Sequence, residues 1–171
     1  MDFFKTVARR ASVRAFKPRV ISDSEWESLF RAAMAAPSAV NCQPWAFVLV
    51  QDRATLVKLA EALPYAKMTA QASGAVVVCA IPAMAYNGSA EIAILDAAAA
   101  CENLLLAATA LGLGAVWTAG HPYADRMAAM RALLGIPAEV IPVALVPIGE
   151  PAGAVVAKDK YKPESIHRET W

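Results

Sequence analysis

The sequence lacks the marks of several common chemistries. It has no C-x-x-C pair and no Cys/His spacing of a metal site: Cys42, Cys79 and Cys101 are odd in number, far apart and set among apolar residues. That pattern removes a disulfide framework and a metal centre from the expected features, and reads as reduced, buried thiols in a cytoplasmic protein. His121 and His167 have no hydroxyl or thiol close in sequence, so neither suggests a nucleophilic triad. No G-x-G-x-x-G follows a strand pattern and no phosphate-loop motif is present, which leaves a Rossmann enzyme unsupported. A charge imbalance is missing too. Sixteen basic residues face fifteen acidic ones, for a net charge of +1, with no run of like charges to follow a nucleic-acid backbone or an anionic membrane. Neither is an expected partner.

Unbroken apolar spans are also scarce. The uncharged stretch Met68–Ala90 is interrupted by Gly74, Pro82, Asn87 and Gly88, and Asn103–Ala124 by Gly112, Gly114 and Pro122. Each therefore divides into shorter elements rather than one spanning helix of about 20 residues. The first ten residues carry Asp2, Lys5, Arg9 and Arg10 without an apolar core, unlike a secretory signal. What is present is an apolar chain: 58% of its 171 residues are hydrophobic. A chain of this length is expected to form one domain over residues 1–171, burying roughly 70% of its unfolded surface. An obligate homodimer would hide the rest, because such interfaces resemble a domain core cut in half.

Periodicity and capping signals outline the elements. Phe3, Phe4 and Val7 have helical spacing in a short amphipathic opening helix ending near Arg9 or Arg10. Ser22 with Glu25 forms a capping box for a helix with the stripe Trp26, Leu29, Phe30 and Ala33, stopped by Pro37. A polar turn, Pro37–Pro44, delivers a strand over Trp45–Val50. Asp52 caps a helix carrying Leu56, Leu59, Ala60 and Leu63, and Ala75–Ile81 reads as a buried strand. Ser89 opens a helix that is apolar on nearly every face from Ile92 to Leu111, the pattern of a helix buried all round. It is the expected centre of the dimer interface, with Leu105 as the position whose replacement by arginine should abolish the dimer. A short strand over Ala115–Thr118, a helix from Pro122 to Gly135 and a strand over Val140–Ile148 follow, before a polar tail. The irregular order of helices and strands favours an α+β fold with a mixed or largely antiparallel sheet.

Three segments could carry chemistry. Arg10, Ser12 and Arg14 are spaced by two, so an extended chain would turn all three side chains to one side as an anion site; a solvated basic turn has the same spacing and is the commoner outcome. The loop from Pro37 to Trp45 sets Ser38, Asn41 and Gln43 between prolines, where they could face a heteroaromatic edge or satisfy local backbone groups. Lys158 and Lys160 alternate on a tail whose default is an exposed, charged segment.

In order along the chain, Arg9-Arg-Ala-Ser-Val-Arg-Ala-Phe16, Ala36-Pro-Ser-Ala-Val-Asn-Cys-Gln-Pro-Trp45, Asp96–Ala108, Leu111-Gly-Leu-Gly-Ala-Val-Trp117 and Ile166–Trp171 resemble the nitroreductase family over nearly the whole sequence. The resemblance implies an α+β sheet flanked by helices, an intertwined homodimer and FMN sites lined by both subunits. It places Arg10, Ser12 and Arg14 on the flavin, with Arg10 nearer the phosphate and Arg14 nearer the pyrimidine end. Pro37, Ser38, Ala39 and Asn41 would come from the partner subunit, Ala119 and Gly120 would lend backbone positions beside the ring, and Lys158 and Lys160 would close on the phosphate. Lys160 stands where the family often has arginine. The implied reaction is ping-pong transfer from NADH or NADPH through the flavin to a small-molecule electron acceptor such as a nitroaromatic or quinone, with no side chain as an obligatory acid or base and no metal. Tyr65, Tyr86 and Trp117 are the candidate substrate-side aromatics, Trp117 being equally a core residue. The alternatives are a non-catalytic flavin-binding or redox-sensing protein, and a dehalogenating or flavin-fragmenting enzyme. The short connection Pro82–Glu91 offers little material for the lid that such an enzyme needs.

Overall fold

The computed structural model describes residues 2–171. In chain order its elements are α1 (Phe3–Arg9), β1 (Phe16–Lys17), α2 (Asp23–Met34), β2 (Trp45–Val50), α3 (Arg53–Ala62), β3 (Gly74–Ala80), α4 (Ala90–Ala110), β4 (Gly114–Ala115), β5 (Thr118–Ala119), α5 (Ala124–Leu134) and β6 (Ile141–Pro151). The capping signals act where they were read. Glu25 N–H donates to Ser22 Oγ while the Glu25 carboxylate accepts from Ser22 N–H, Asp52 accepts from Thr55 N–H at 2.8 Å, and Ser89 Oγ accepts from Ile92 N–H at 3.2 Å. Gly135 ends α5 in the left-handed region, at φ 65°.

The long strand β6 is the spine of the sheet. β3 pairs with it antiparallel along one edge, from Gly74 opposite Ile148 to Ala80 opposite Ile141, and β2 lies outside β3. Along the other edge β5, β4 and β1 pair with it in succession, all antiparallel. The sheet is thus α+β and antiparallel, as the element order implied. β3 is buried along its whole length, and its period of two serves two helical layers. Val76, Val78 and Ala80 pack with Trp26 and Leu29 of α2 and with Ala97, Cys101 and Leu104 of α4. Ala75, Val77 and Cys79 pack with Leu56 and Leu59 of α3 and Met130 of α5. Each fully buried leucine or valine stabilises the fold by about 1.5–3 kcal/mol. Burial also pushes the Cys79 thiol up to about 12 and the Cys101 thiol upward, so both are inert; Cys42, expected to be buried as well, is only half-buried.

Two expectations need correction. The single strand over Ala115–Thr118 is two short strands separated by Val116 and Trp117, because Val116 turns into a small cluster with Phe16 while Trp117 packs on the main core. Within one chain the inner face of α4 is buried and Leu95 is 69% exposed. Leu105, expected at the interface, faces inward at 4% exposure, so a charge there would strike the chain's own core. Among the described residues α4 is the one helix long and apolar enough to cross a membrane, and that inner face is part of the main core.

Candidate functional site

The segment after α1 is extended, which decides how Arg10, Ser12 and Arg14 point. Val13 N–H donates to the Ala115 carbonyl at 3.0 Å, Ser12 bridges to Ala115, and Ala152 N–H donates to the Ala15 carbonyl at 3.0 Å. Gly114 permits that approach, since a Cβ there would come within 2.7 Å of Val13 Cγ1. Val13 and Phe16 turn toward Met68, Ala72 and Val116, leaving Ser12 and Arg14 exposed. The segment is a strap pinned to the sheet rather than a turn.

The strap and the tail form one trough. Arg10, Ser12, Arg14, Val156, Lys158 and Lys160 line a cleft of about 250 Å³. Beyond Arg10, a space of about 470 Å³ is bounded by Val7, Ala8 and residues 157–160. On the far side Arg14 opens onto a cavity of about 500 Å³ with Tyr65, Lys67 and Met68. The order along the trough is therefore Arg10 with the two lysines, then Arg14, then Tyr65. Arg10 Nε lies 3.6 Å from Glu102 Oε1 of α4, whereas Arg14, Lys158 and Lys160 make no ion pair among the described residues. A cleft with that much uncompensated positive charge is suited to an anion.

The loop holding Pro37, Ser38, Ala39 and Asn41 is ordered by other means and sits elsewhere. Ala39 N–H is shared between both oxygens of the buried Asp96 carboxylate on α4, 3.2 Å from each, and Gln43 N–H donates to Ser38 Oγ at 2.9 Å. Val40, Asn41 and Gln43 all adopt left-handed φ angles, of 52°, 57° and 50°. Such conformations are costly for side-chain-bearing residues and persist where the surroundings fix them. The loop leads into β2, at the opposite edge of the sheet from β1, three strand spacings or about 14 Å across. None of Pro37, Ser38, Ala39 or Asn41 lines the three spaces of the trough.

The remaining candidates divide. Gly120 N–H is committed to the Val143 carbonyl at 3.0 Å, and a Cβ at Gly120 would collide with Met130 Cε and the Pro142 carbonyl, so close packing alone requires glycine. The Ala119 carbonyl accepts from Arg126 Nη1 at 3.3 Å. Of the three aromatics only Tyr65 reaches the trough. Tyr86 lies on a 3-10 turn before α4 and lines none of its three spaces, and Trp117 packs on the core. No functional role follows from the sequence for Lys67, Met68, Asp96 or Arg126. Lys67 and Met68 fall within an uninformative turn, while Asp96, an acid in the middle of an apolar stretch of α4, was a usable signal.

The sequence pattern of the nitroreductase family matches residues 7–80 and 62–150. The chain belongs to the nitroreductase family. An Archaeoglobus fulgidus relative, provisionally described as an NADH dehydrogenase/NAD(P)H nitroreductase, is 42% identical over 99% of each chain. A crystal structure of a protein of the same provisional description from Parabacteroides distasonis superposes with a TM-score of 0.93 at 40% identity, covering 99% of this chain and 98% of the other. A provisional nitroreductase from Desulfovibrio desulfuricans, solved in complex with FMN, superposes with a TM-score of 0.83 at 26% identity, covering 100% of this chain and 98% of its own. These nitroreductase folds share the arrangement of helices and antiparallel sheet described above.

Proposed function

We propose that the trough holds FMN and that the chain is an FMN-dependent NAD(P)H oxidoreductase, reducing nitroaromatic, quinone or similar small acceptors by a ping-pong mechanism. The observation that carries this reading is the convergence of Arg10, Ser12, Lys158 and Lys160, from segments almost 150 positions apart, on one cleft that continues past Arg14 to Tyr65. The donor set fits the group: a hydroxyl and several cations suit a phosphate dianion at one end, and a single guanidinium suits the polar edge of a ring further along. FMN supplies the two-electron relay between reductant and acceptor. The protein binds, orients and polarises. Arg10, Lys158 and Lys160 hold the phosphate, and Arg14 sets positive charge beside the pyrimidine edge, favouring the state in which that edge is negative. No acid or base is required from the chain, and the buried neutral thiols of Cys79 and Cys101 take no part.

The same reading calls for a homodimer. Phe3, Phe4 and Val7 of α1, Leu95 of α4 and Ile166 and Trp171 of the tail are all exposed in one chain, more apolar surface than isolated side chains explain. A partner would cover them and bring its own Pro37–Asn41 loop to this trough. Free cysteines and the absence of a charge run fit a cytoplasmic protein acting on small molecules. The test is the purified protein itself: it should carry FMN and oxidise NAD(P)H with a quinone or nitroarene, giving parallel double-reciprocal plots. A colourless protein that takes up no FMN would contradict the cofactor, and intersecting plots would contradict the single shared site.

A further inference from the structure

The far end of the trough contains a feature that flavin binding leaves unexplained. Tyr65 is 81% exposed and adopts φ 63°, in a turn closed by Ala66 N–H donating to the Leu63 carbonyl at 3.3 Å. Glycine or asparagine would take that conformation with less strain, so the sequence places an aromatic side chain in solvent at a conformational cost. Behind it stands Arg126, the first-turn arginine of α5. Its guanidinium lies 3.7 Å from the Tyr123 ring centroid and 5.9 Å from that of Tyr65, with Nη1 donating to the Ala119 carbonyl. Its Nε is buried without a partner, and neither Arg126 nor Lys67 makes an ion pair among the described residues. An arginine held by ring faces and one carbonyl keeps its whole charge, because nothing neutralises it. Lys67 lines the same cavity as Tyr65, together with Arg14 and Met68.

We infer that Tyr65, Lys67 and Arg126 form a subsite for ligands that join a planar ring to an anionic group, a carboxylate or a phosphate. The ring lies on Tyr65, and the anion is drawn by Lys67 and Arg126. This rests on the reading of the Arg14 cleft as the flavin site, which places Tyr65 at the open end where reductant and acceptor alternate. The anion could belong to either: a carboxylated aromatic acceptor, or the extra phosphate that distinguishes NADPH from NADH.

The test uses the FMN-loaded protein. In calorimetric titrations without reductant, 4-nitrobenzoate should bind at least about tenfold more tightly than the near-isosteric 4-nitrobenzamide at low salt, with the gap closing as salt rises. In a second arm, the ratio of NADPH to NADH in kcat/KM for flavin reduction is measured. Arg126→Met and, independently, Lys67→Met should each reduce whichever preference is present, and Arg126→Lys should retain most of it. Loss in the first arm assigns the anion to the acceptor, and loss in the second assigns it to the reductant. No preference in either arm, or a preference that survives both methionine variants, overturns the subsite while leaving the flavoenzyme reading intact. Failure to take up FMN overturns both.

Discussion

The middle of the molecule and its periphery obey different rules. β3, the inner parts of β6 and one side of α4 are closed within a single chain: alternate residues of β3 go to two helical layers, and nothing large is left uncovered. The periphery is the reverse. α1 buries only Thr6, the outer stripe of α4 exposes Leu95, and the tail ends on a fully exposed Trp171 stacked on His167. One chain suffices for a core, but the periphery carries apolar surface that the chain itself leaves uncovered. The trough runs along that unfinished region, and the proposed site is built from it.

The two sides of α4 should respond in opposite ways to the same substitution. Leu105→Arg should abolish soluble folded protein, because a charge forced into the main core has no partner, whereas Leu95→Arg should leave a folded chain but a monomeric one. Sedimentation of both variants beside circular dichroism would decide; a Leu95→Arg protein that still sediments as a dimer removes α4 from the interface. A smaller effect is expected at Gly114, where core and strap meet. Gly114→Ala pushes a methyl into Val13 and should cost about 1–3 kcal/mol, while weakening FMN binding by displacing Ser12 and Arg14. Unchanged FMN affinity in a destabilised variant would mean that the strap is not held by this contact. Smallest is the cap of α2, whose residues line none of the three spaces of the trough. Ser22→Ala should cost about 1 kcal/mol and lower Tm by about 2–4 °C, without altering FMN affinity. The Ser22 backbone N–H also holds the Glu25 carboxyl below its usual range. Its stabilising share is therefore present above the ordinary carboxylate pKa and lost as pH falls through the lowered value; Ser22→Ala keeps that backbone donor, so it is wild type and Glu25→Gln that should converge in acid.

Legibility followed the same division. Ser22, Asp52, Ser89 and Gly135 announced helix ends because capping is local chemistry, and β2 and β3 stood out as apolar runs bounded by turns. β4 and β5 could not be separated, since two-residue strands exist only through pairing with β6. Nor could the outward side of α4 be read: a helix apolar all round has no preferred face in its sequence. At the site, the spacing of Arg10, Ser12 and Arg14 was ambiguous until the bond from Val13 to Ala115, about a hundred residues away, fixed the strand-like conformation. The meeting of Arg126 with Tyr65 was invisible for the same reason, as the two lie about sixty residues apart in the chain.

If the strap and the tail hold a phosphate at one end of the trough and a ring beyond it, titration of apoprotein with FMN and with riboflavin will separate the two contacts. Arg10→Ala, Lys158→Ala and Lys160→Ala should each weaken FMN by roughly ten- to a hundredfold, the equivalent of one charge-assisted hydrogen bond, and leave riboflavin nearly unaffected. Arg14→Ala should weaken both flavins alike. Lysine variants that lose equal affinity for the two flavins, or none for FMN, would show that the tail does not hold the phosphate and is a solvated segment.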